Sequence, residues 1–579
     1  MPVPHKDLVA VRLARVGARA VMHLPRTPRQ ASTRFGRYFH QRFIATSSGR
    51  QQLNDGWGRI ARLASKVPGT ASIVAGTSNN LASRLRAQGH SQSARALLAT
   101  VEPTLPESDT TVSMRAVARV LDLNLGTDAG DTAELTATSL ALADAAFARG
   151  DLDEAAALLQ TAFDLALHRV HHFEDKPSPY ALDPDAFLQP FRRSRTFQAV
   201  VTPTKGVRPA RGRADAEGRP HRILFATATN FNFTRETIRE YAERPGVEVR
   251  EVDIRRLPKG PWRPDPAELT WNRLRHSAGL PMEVPPQVRE DVDWADTIFV
   301  EWGHRAMTWI SMLPNVRARV VARLHSYEAL TQFPLITDWS GIDDLVFVSG
   351  HIRALVEHAI PEVRSGPRIH TIGNRNVLDS YDLPKRVAAS RTLGLIGWGQ
   401  VVKDAQWALD VLEELRRDDP AWRLRLVGHG FADDSKLTEA AARYKARLEE
   451  RIEALGDAVI RPGFTNDVPH AMRRIGVILS TSQREGTHES LIQGAASGAL
   501  PVVRNWPVVA RWGGAHTMFP DSWIVETPQE AADRIRAAAP DLATEGAKAR
   551  EWARKTYDWS VIGPQLETLL LDQTEGPTA

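Results

Sequence analysis

The spacing of apolar residues changes at about residue 221 of the chain. Before this point they recur at helical spacing, as in LALADAAFARG and DLDEAAALLQTAFDLAL on either side of Gly150. After it, short runs rich in Val, Ile and Leu alternate with amphipathic stretches. Strands that alternate with helices are typical of parallel sheets covered by helices on both faces. The pattern therefore predicts an all-α region followed by an α/β region.

The helical region, residues 1–200, contains two segments with weak similarity to each other. Gly89 and Gly150 each stand eight and nine residues before a Leu-Leu pair, and Asp151 is placed to cap the next helix. Both segments resemble helix pairs of the tetratricopeptide type, but their separation of 61 residues does not fit the ~34-residue period of that repeat. We therefore predict a helical domain whose surface is available to a protein partner.

Two runs of α/β alternation follow a linker. Residues 201–221 are rich in Pro, Gly and Arg and have no periodic apolar pattern, which is typical of a linker. The alternation then extends over residues 222–385 and begins again over residues 386–540. Two consecutive runs predict two Rossmann-like domains that face each other across a cleft.

Composition narrows the class of protein. At 579 residues the chain is too long for one core, and its formal net charge of +5 is no signature of nucleic-acid binding. The absence of cysteine excludes disulfides, thiol catalysis and cysteine-ligated zinc. No apolar run approaches the ~18–20 residues that span a bilayer, and no secretory signal is evident. We therefore expect a cytoplasmic protein.

Basic residues concentrate in two segments, residues 1–50 and residues 192–222. The first contains ten Lys and Arg against one acid, Asp7. Each basic residue near an anionic leaflet contributes about 1 kcal/mol to binding, so these segments predict reversible, peripheral association with the inner face of a membrane. A solvated basic arm explains the same residues equally well.

The stretch REGTHESLIQGAASGALPVVRNW, residues 484–506, places an acid and small residues between two strands. The preceding strand, GVILSTS, ends where ligands of open parallel sheets bind. The helix that begins near His488 has free N–H groups that attract phosphate, and Gly486 permits close approach to the backbone. Ala, Ser and Gly at 494–499 let this helix lie close to the sheet. The stretch predicts a site for a phosphorylated ligand whose hydroxyls bond to Glu485.

The same stretch resembles the donor signature of retaining GT-B glycosyltransferases (glycosyltransferase group 1, family 4-like), in which Glu-Gly, six residues and Glu-Ala precede Gly-x-Pro-Val-Val. LRLVGHG, RPGFTNDVPHAM and HTIGNRN resemble further family segments, so the likeness covers roughly residues 222–540. It implies a GT-B fold, with C-terminal helices at 541–579 packing back on the first Rossmann-like domain. It also implies transfer of a sugar, with retention, from a nucleotide-diphosphate sugar to a glycan, glycolipid or other hydroxyl acceptor in cell-surface synthesis.

On the donor side, the resemblance implies that Glu485 contacts the sugar, Lys403 and the 486–490 backbone the diphosphate, and Gln493 the ribose. Two positions depart from the family pattern: Gln493 replaces a Glu, and Trp398 replaces an Arg. His488 or Arg484 could supply the missing charge, and Trp398 is better explained as a core residue. The predicted donor-binding set is Gly399, Lys403, Arg484, Glu485, Gly486, Thr487, His488, Glu489 and Gln493. The resemblance implies no cofactor or obligatory metal beyond the donor.

On the acceptor side, the first Rossmann-like domain offers the strand ends VEWGHRA and ARLHSYEA. The family often has His at such ends; His325 matches one, and Glu301 stands at the other with His304 three residues on. The loop ATATNFNFTRET adds Asn230 and Asn232. The predicted catalytic residues are Glu485, His325 and Lys403.

Two other functions are compatible with the sequence. With Trp398 and Gln493 off the pattern, the α/β part could be a catalytically degenerate binding module beside a helical protein-interaction scaffold. GWGQVV, residues 397–402, is a partial dinucleotide fingerprint that lacks the third glycine and the expected acid. An oxidoreductase that uses NAD is therefore the weaker alternative. Asp343–Asp344 and Asp183-Pro-Asp185 are weak candidates for metal ligands.

Overall fold

The computed structural model describes residues 44–67, 70–127, 130–174, 177–204, 218–257 and 265–571. They form two compact units. One contains the helices up to His168 together with Ser194–Thr196, and the other contains Arg169–Arg193 and the chain from Phe197 onward. The basic residues 1–43 and the centre of the predicted linker, 205–217, lie outside the described residues.

The first unit is helical, which confirms the predicted all-α region. Leu81, Leu85, Leu97 and Leu98 are central to its core. The Asp151 carboxylate accepts a hydrogen bond of 2.9 Å from the backbone N–H of Glu154 and so caps the following helix. Its helices are α1 (Ser47–Ala64), α2 (Ala71–Ala87), α3 (Ser91–Val101), α4 (Asp109–Asn124), α5 (Ala133–Ala148) and α6 (Leu152–Ala166). Across the described residues, no helix combines the length and the apolar character that a bilayer span requires.

The second unit begins with short helices before its first sheet. These are a π-helical turn (Val170–Glu174), α7 (Pro179–Leu182) and α8 (Pro184–Arg193). Helix α9 (Arg195–Val201) follows them in the chain.

The first sheet has six parallel strands in the order β2-β1-β3-β4-β5-β6. All residues of β3, β4 and β5 are buried, as expected for strands covered on both faces. The strands are β1 (His221–Thr227), β2 (Val247–Asp253), β3 (Thr297–Glu301), β4 (Arg319–Leu324), β5 (Asp344–Phe347) and β6 (Arg368–Thr371). The helices between them are α10 (Arg235–Ala242), α11 (Pro266–Ser277), α12 (Pro286–Trp294), α13 (Arg305–Ser311), α14 (Ser326–Ala329), α15 (Gln332–Ile336) and α16 (Gly350–Ala359).

The second sheet is also parallel and six-stranded, in the order β12-β11-β10-β7-β8-β9. Its strands are β7 (Thr392–Ile396), β8 (Arg423–Val427), β9 (Val459–Gly463), β10 (Val477–Ser480), β11 (Leu500–Arg504) and β12 (Ile524–Val525). Its helices are α17 (Ala405–Arg416), α18 (Glu439–Leu455), α19 (Val468–Met472), α20 (Glu489–Ala496), α21 (Pro528–Ala538) and α22 (Leu542–Tyr557). The strand order reverses between the neighbours β7 and β10, so the loops after these two strands open a crevice for a ligand.

The last helix, α23 (Trp559–Leu570), leaves the second sheet and packs on the first. Ile562, Leu566 and Leu569 join the core around Phe225 and Phe299. On the same helix, Glu567 forms an ion pair of 2.6 Å with Arg244. The first domain therefore obtains part of its core from the C-terminal end of the chain.

A glycine allows α20 to lie directly on the second sheet. A Cβ atom added at Gly494 would stand only 2.6 Å from Cγ1 of Ile478 in β10. Such contacts do not occur between real side chains without displacement of the surroundings, so the position requires a residue without a side chain. The small residues after Glu485 therefore set how closely α20 approaches the sheet.

We expect Gly494→Ala to destabilise the second unit. The extra methyl group overpacks the contact with Ile478 by about 1–3 kcal/mol, which exceeds the gain of about 1 kcal/mol from better helix propensity. Gly76→Ala is the matched control, because a Cβ at this helical position in α2 would have nothing within 4 Å; it should be neutral or stabilising. Urea unfolding followed by circular dichroism measures both, and a Gly494→Ala protein as stable as the wild type would contradict the packing argument.

Candidate functional site

Two loops meet at the carboxyl edge of the second sheet, where the strand order reverses. One follows β7 and ends at Lys403, and the other follows β10. The backbone N–H of Gln483 donates to the carbonyl of Val402 at 2.8 Å. The Thr481 hydroxyl donates to the carbonyl of Lys403 at 2.5 Å. These bonds hold the two loops together at the point where doubly wound sheets bind ligands.

Glu485 and Lys403 form the central contact of the site. Lys403 Nζ lies 2.6 Å from Glu485 Oε1, and the Ser482 hydroxyl donates to the same oxygen at 2.5 Å. Burial opposes the charge on Glu485, but Lys403, His488 and Ser482 outweigh it and hold the pKa of this carboxyl below its usual value. The structure thus brings together two of the three predicted catalytic residues, with Glu485 ionised.

His488 stands immediately before α20 and is 2% exposed. Its Nε2 atom is 3.9 Å from Glu485 Oε1, which is too long for a hydrogen bond. Neither ring nitrogen has a hydrogen-bond partner among the described residues. Burial lowers the pKa of His488 to about 4, so the ring is neutral at pH 7.

Thr487 and Glu489 bond to the connection between the two Rossmann-like domains. Glu489 accepts hydrogen bonds from Asn374 Nδ2 at 2.9 Å and from Asn376 Nδ2 at 2.6 Å. Thr487 accepts from Asn374 at 3.0 Å and donates to Glu489 at 2.5 Å. The side chains of this pair are therefore engaged within the protein, and their donor-binding role stays a prediction.

Residues of the first domain lie against the Glu485 loop. A Cβ added at Gly486 would stand 3.1 Å from Ser326 Oγ and 3.2 Å from its backbone N, so this glycine permits close approach. His351 Nε2 donates to the carbonyl of Glu485 at 2.9 Å, and His351 Nδ1 lies 2.9 Å from Thr517 Oγ1. His351 was not among the residues predicted from the sequence, although its position just after β5 places it at the same edge of the sheet as His325.

Two further predicted donor residues, Gly399 and Gln493, belong to the second domain, as does Trp398, which departs from the family pattern. Trp398 is buried among core residues and packs edge-on against Phe431, as the core interpretation expects. A Cβ at Gly399 would stand 2.4 Å from the carbonyl oxygen of Gly430, so two loops touch through their backbones. Gln493 is half-buried on α20, one turn after Glu489.

On the first sheet, Glu301 belongs to a buried network. Arg323 Nη2 donates to Glu301 Oε2 at 2.6 Å, and His325 Nε2 donates to Oε1 at 2.9 Å. Burial opposes ionisation of Glu301, but Arg323 and His325 outweigh it and lower the pKa of the carboxyl. Glu301 is 0% exposed, so its observed contacts orient His325, and its acceptor-side role stays a prediction.

Aromatic rings fix the position of His325. The ring stacks on Phe233 at a centroid distance of 5.0 Å and lies 4.5 Å from the ring of Trp302. Trp302 adopts a φ of 68°, a strained conformation for a bulky residue. Its indole N–H donates to the carbonyl of Asn230 at 3.0 Å, which joins the first loop of the domain to this aromatic group.

The other predicted acceptor-side residues are His304, Asn230 and Asn232. His304 lies 4.0 Å from Phe333 between ring centroids, and burial lowers the pKa of His304 to about 3. Asn230 Oδ1 accepts from the backbone N–H of Asn232 at 2.9 Å, which shapes the first loop, and the Asn232 side chain is exposed.

A segment from before the first sheet also reaches the site. The Phe173 ring lies 4.4 Å from the guanidinium carbon of Arg484 and 4.8 Å from the ring of Tyr327. Burial lowers the pKa of Arg484 to about 10, and its cation–π contact compensates part of the lost solvation. Nothing in the sequence pattern indicated that the segment 169–193 contributes a residue to the site.

Two of the four candidate metal carboxylates, Asp344 and Asp185, pair with arginines, and the other two, Asp343 and Asp183, accept hydrogen bonds from backbone N–H groups. Asp344 forms ion pairs with Arg319 and Arg368 and accepts a hydrogen bond from His370, and Asp185 forms an ion pair with Arg192 and accepts a hydrogen bond from His358. In the part of the chain that the structure describes, no three carboxylate or imidazole groups gather as metal ligands.

We expect stability to fall as the pH drops from 7 to 5. Burial depresses the pKa values of His351 and His488 to about 4 and of His304 to about 3. Below pH 6.5 these histidines are protonated in the unfolded chain but stay neutral in the folded protein. Each histidine therefore lowers the free energy of unfolding by about 2 kcal/mol at pH 5.

Urea unfolding across this pH range measures the effect. His351→Gln should be less stable at pH 7 but should lose less stability on acidification. His470→Gln, at an exposed histidine, is the control and should parallel the wild type. A His351→Gln curve parallel to the wild type would contradict the assignment.

Comparison with known proteins supports the resemblance. Residues 390–541, which carry both Lys403 and Glu485, match the family model described as Glycosyl transferases group 1. Among curated proteins, none matches the chain. The predicted GT-B fold is confirmed, with two Rossmann-like parallel sheets after a helical region.

Several solved structures are similar at low identity. HepE from Anabaena, in complex with UDP, is 16% identical, with 61% of this chain and 100% of that chain covered and a TM-score of 0.44. Sucrose-phosphate synthase from Thermosynechococcus elongatus is 15% identical, with 61% and 99% covered and a TM-score of 0.44. TarM from S. aureus is 17% identical, with 48% and 56% covered and a TM-score of 0.39. The chain thus spans about half the length of TarM.

Proposed function

We propose that this chain, which carries a glycosyl transferases group 1 domain at residues 390–541, transfers a sugar from a nucleotide-diphosphate donor to an acceptor hydroxyl. One observation carries the proposal. Within that domain, an ionised Glu485 and Lys403 lie 2.6 Å apart where the order of the parallel strands reverses. This position takes ligands in doubly wound sheets, and the two groups suit a ligand with both hydroxyls and phosphates.

Different residues of the site bind different parts of the donor. Lys403 and the N–H groups at the start of α20 face the diphosphate, and Glu485 accepts hydrogen bonds from the sugar hydroxyls. A diphosphate draws Lys403 away from Glu485, which frees the carboxylate for the sugar. Gln493 serves the ribose, and Arg484 supports the donor side.

The reaction exchanges one bond at the anomeric carbon for another. Its bond to the diphosphate oxygen breaks, a bond to the acceptor oxygen forms, the acceptor proton is released and the nucleoside diphosphate leaves. The protein accelerates this step by positioning both substrates and by stabilising the charge that builds on the leaving group. His325, His304 and the Asn230 loop lie on the acceptor side. We further propose retention of configuration and no metal requirement, both of which product NMR and assays with EDTA can test.

The test combines binding with turnover. Calorimetric titration against UDP-, GDP-, TDP- and CDP-sugars and NAD should show binding of one nucleotide sugar and not of NAD. Binding without turnover would favour a catalytically degenerate module beside a helical scaffold. Binding of NAD alone would favour an oxidoreductase, and no binding at all would favour the scaffold alone.

We expect Glu485→Gln to reduce sugar transfer, or hydrolysis of the bound donor, by at least about a hundredfold, because the neutral amide accepts hydrogen bonds from sugar hydroxyls less strongly. The amide oxygen can still accept from Lys403 and Ser482, and the backbone bond to His351 is unchanged, so the variant should be less stable but folded, which circular dichroism checks. Glu450→Gln, at an exposed position of α18, is the matched control and should retain full activity. A Glu485→Gln enzyme with wild-type turnover would remove this carboxylate from the reaction.

We also propose that the acceptor belongs to cell-surface glycan or glycolipid synthesis and that the basic segments attach the enzyme to anionic membranes. Co-sedimentation with phosphatidylglycerol vesicles should then occur at 50 mM salt and disappear at 500 mM, because salt screens surface charge. Phosphatidylcholine vesicles are the control. Absence of binding at low salt, or binding that salt does not change, would contradict electrostatic attachment.

A further inference from the structure

We propose that His488 donates a hydrogen bond to the diphosphate of the donor and so determines affinity for the phosphate part of the ligand. This inference rests on the proposed function and assigns a ligand contact to a side chain whose polar atoms form no hydrogen bond with the described residues.

The first argument is the unsatisfied hydrogen-bonding capacity of the ring. A buried imidazole that lacks partners is costly, and buried polar groups in native proteins are nearly always bonded. His488 is 2% exposed, and across the described residues neither Nδ1 nor Nε2 has a hydrogen-bond partner. His351 and His325, also buried and in the same cleft, each have protein partners. His488 therefore differs from them in a way that a bound ligand would resolve.

The second argument is location. His488 is the residue before α20, and among the described residues no side chain caps the N-terminus of this helix. The first N–H groups of a helix and its dipole attract phosphate. His488 Nε2 and Lys403 Nζ lie 3.9 Å and 2.6 Å from the same oxygen of Glu485. The imidazole and the ammonium group thus lie close to one carboxylate oxygen, with the imidazole on the residue that begins the helix.

The third argument is the distribution of charge. Lys403 already neutralises Glu485, so a diphosphate that enters beside this pair brings negative charge for which one ammonium group is insufficient. A neutral imidazole still donates one N–H to a phosphate oxygen, and such bonds to charged acceptors are roughly twice as strong as neutral ones. Trp398 is buried among apolar residues and supplies no charge here. His488 is therefore the side chain best placed to share the diphosphate with Lys403.

Two substitutions separate hydrogen bonding from packing. His488→Leu fills a similar volume without a donor, whereas His488→Asn keeps an N–H donor. The control is His470→Leu, at an exposed histidine of the same domain. The probes are the nucleoside diphosphate that binds the wild type most tightly among UDP, GDP, TDP and CDP, its nucleoside without phosphates, and inorganic pyrophosphate. Calorimetry gives the dissociation constants, and thermal unfolding confirms that each variant is folded.

We expect His488→Leu to weaken binding of the nucleoside diphosphate and of pyrophosphate about tenfold or more, because a hydrogen bond to a charged group is lost. Binding of the nucleoside should not change, and His488→Asn should lose less than His488→Leu. Unchanged diphosphate affinity in His488→Leu, or equal losses for nucleoside and diphosphate, would overturn the inference while leaving the proposed function intact. A wild-type protein that binds no nucleoside diphosphate would overturn both.

Discussion

The negative charge of a carboxylate that is buried between two domains must be compensated. The arrangement of the cleft follows from the groups that compensate the charge of Glu485. Its side chain is held by Lys403 and Ser482 of its own domain. Its backbone carbonyl accepts a hydrogen bond from His351 of the first domain. Removing one partner of a buried ion pair leaves an uncompensated charge that costs several kcal/mol. The loops after β7 and β10 and the start of α16 therefore depend on one another through this residue.

The architecture was largely predictable because buried parallel strands are continuous apolar runs and the helices between them are amphipathic. The meeting of Lys403 and Glu485 was predictable for a similar reason: each follows a strand, and the two strands are neighbours at the reversal of order. The small residues around Gly494 likewise indicated a helix packed tightly on a sheet, and the contact with Ile478 gives that indication a physical cause.

The contacts of other candidate residues depend on partners that sequence patterns do not specify. Glu301 is directly opposite Arg323 in the register of β3 and β4, so the two side chains share a face and pair. That pairing follows from strand register, which the apolar pattern leaves open.

Phe173 contacts Arg484, more than three hundred positions away in the sequence. Thr487 and Glu489 find partners in Asn374 and Asn376 because the connection between the domains passes beside α20. Such long-range contacts are set by tertiary structure alone.

The position of α23 has a consequence for biosynthesis. The first Rossmann-like domain starts at β1, but its core includes Ile562, Leu566 and Leu569, which the ribosome adds only after the whole second domain. Domains generally fold in the order of their synthesis, yet here the domain begun first is completed last. Until α23 emerges from the ribosome, Phe225 and Phe299 lack some of their packing partners. The nascent chain therefore exposes an apolar surface to which chaperones can bind. A premature stop codon anywhere before α23 would thus damage a domain encoded hundreds of codons upstream.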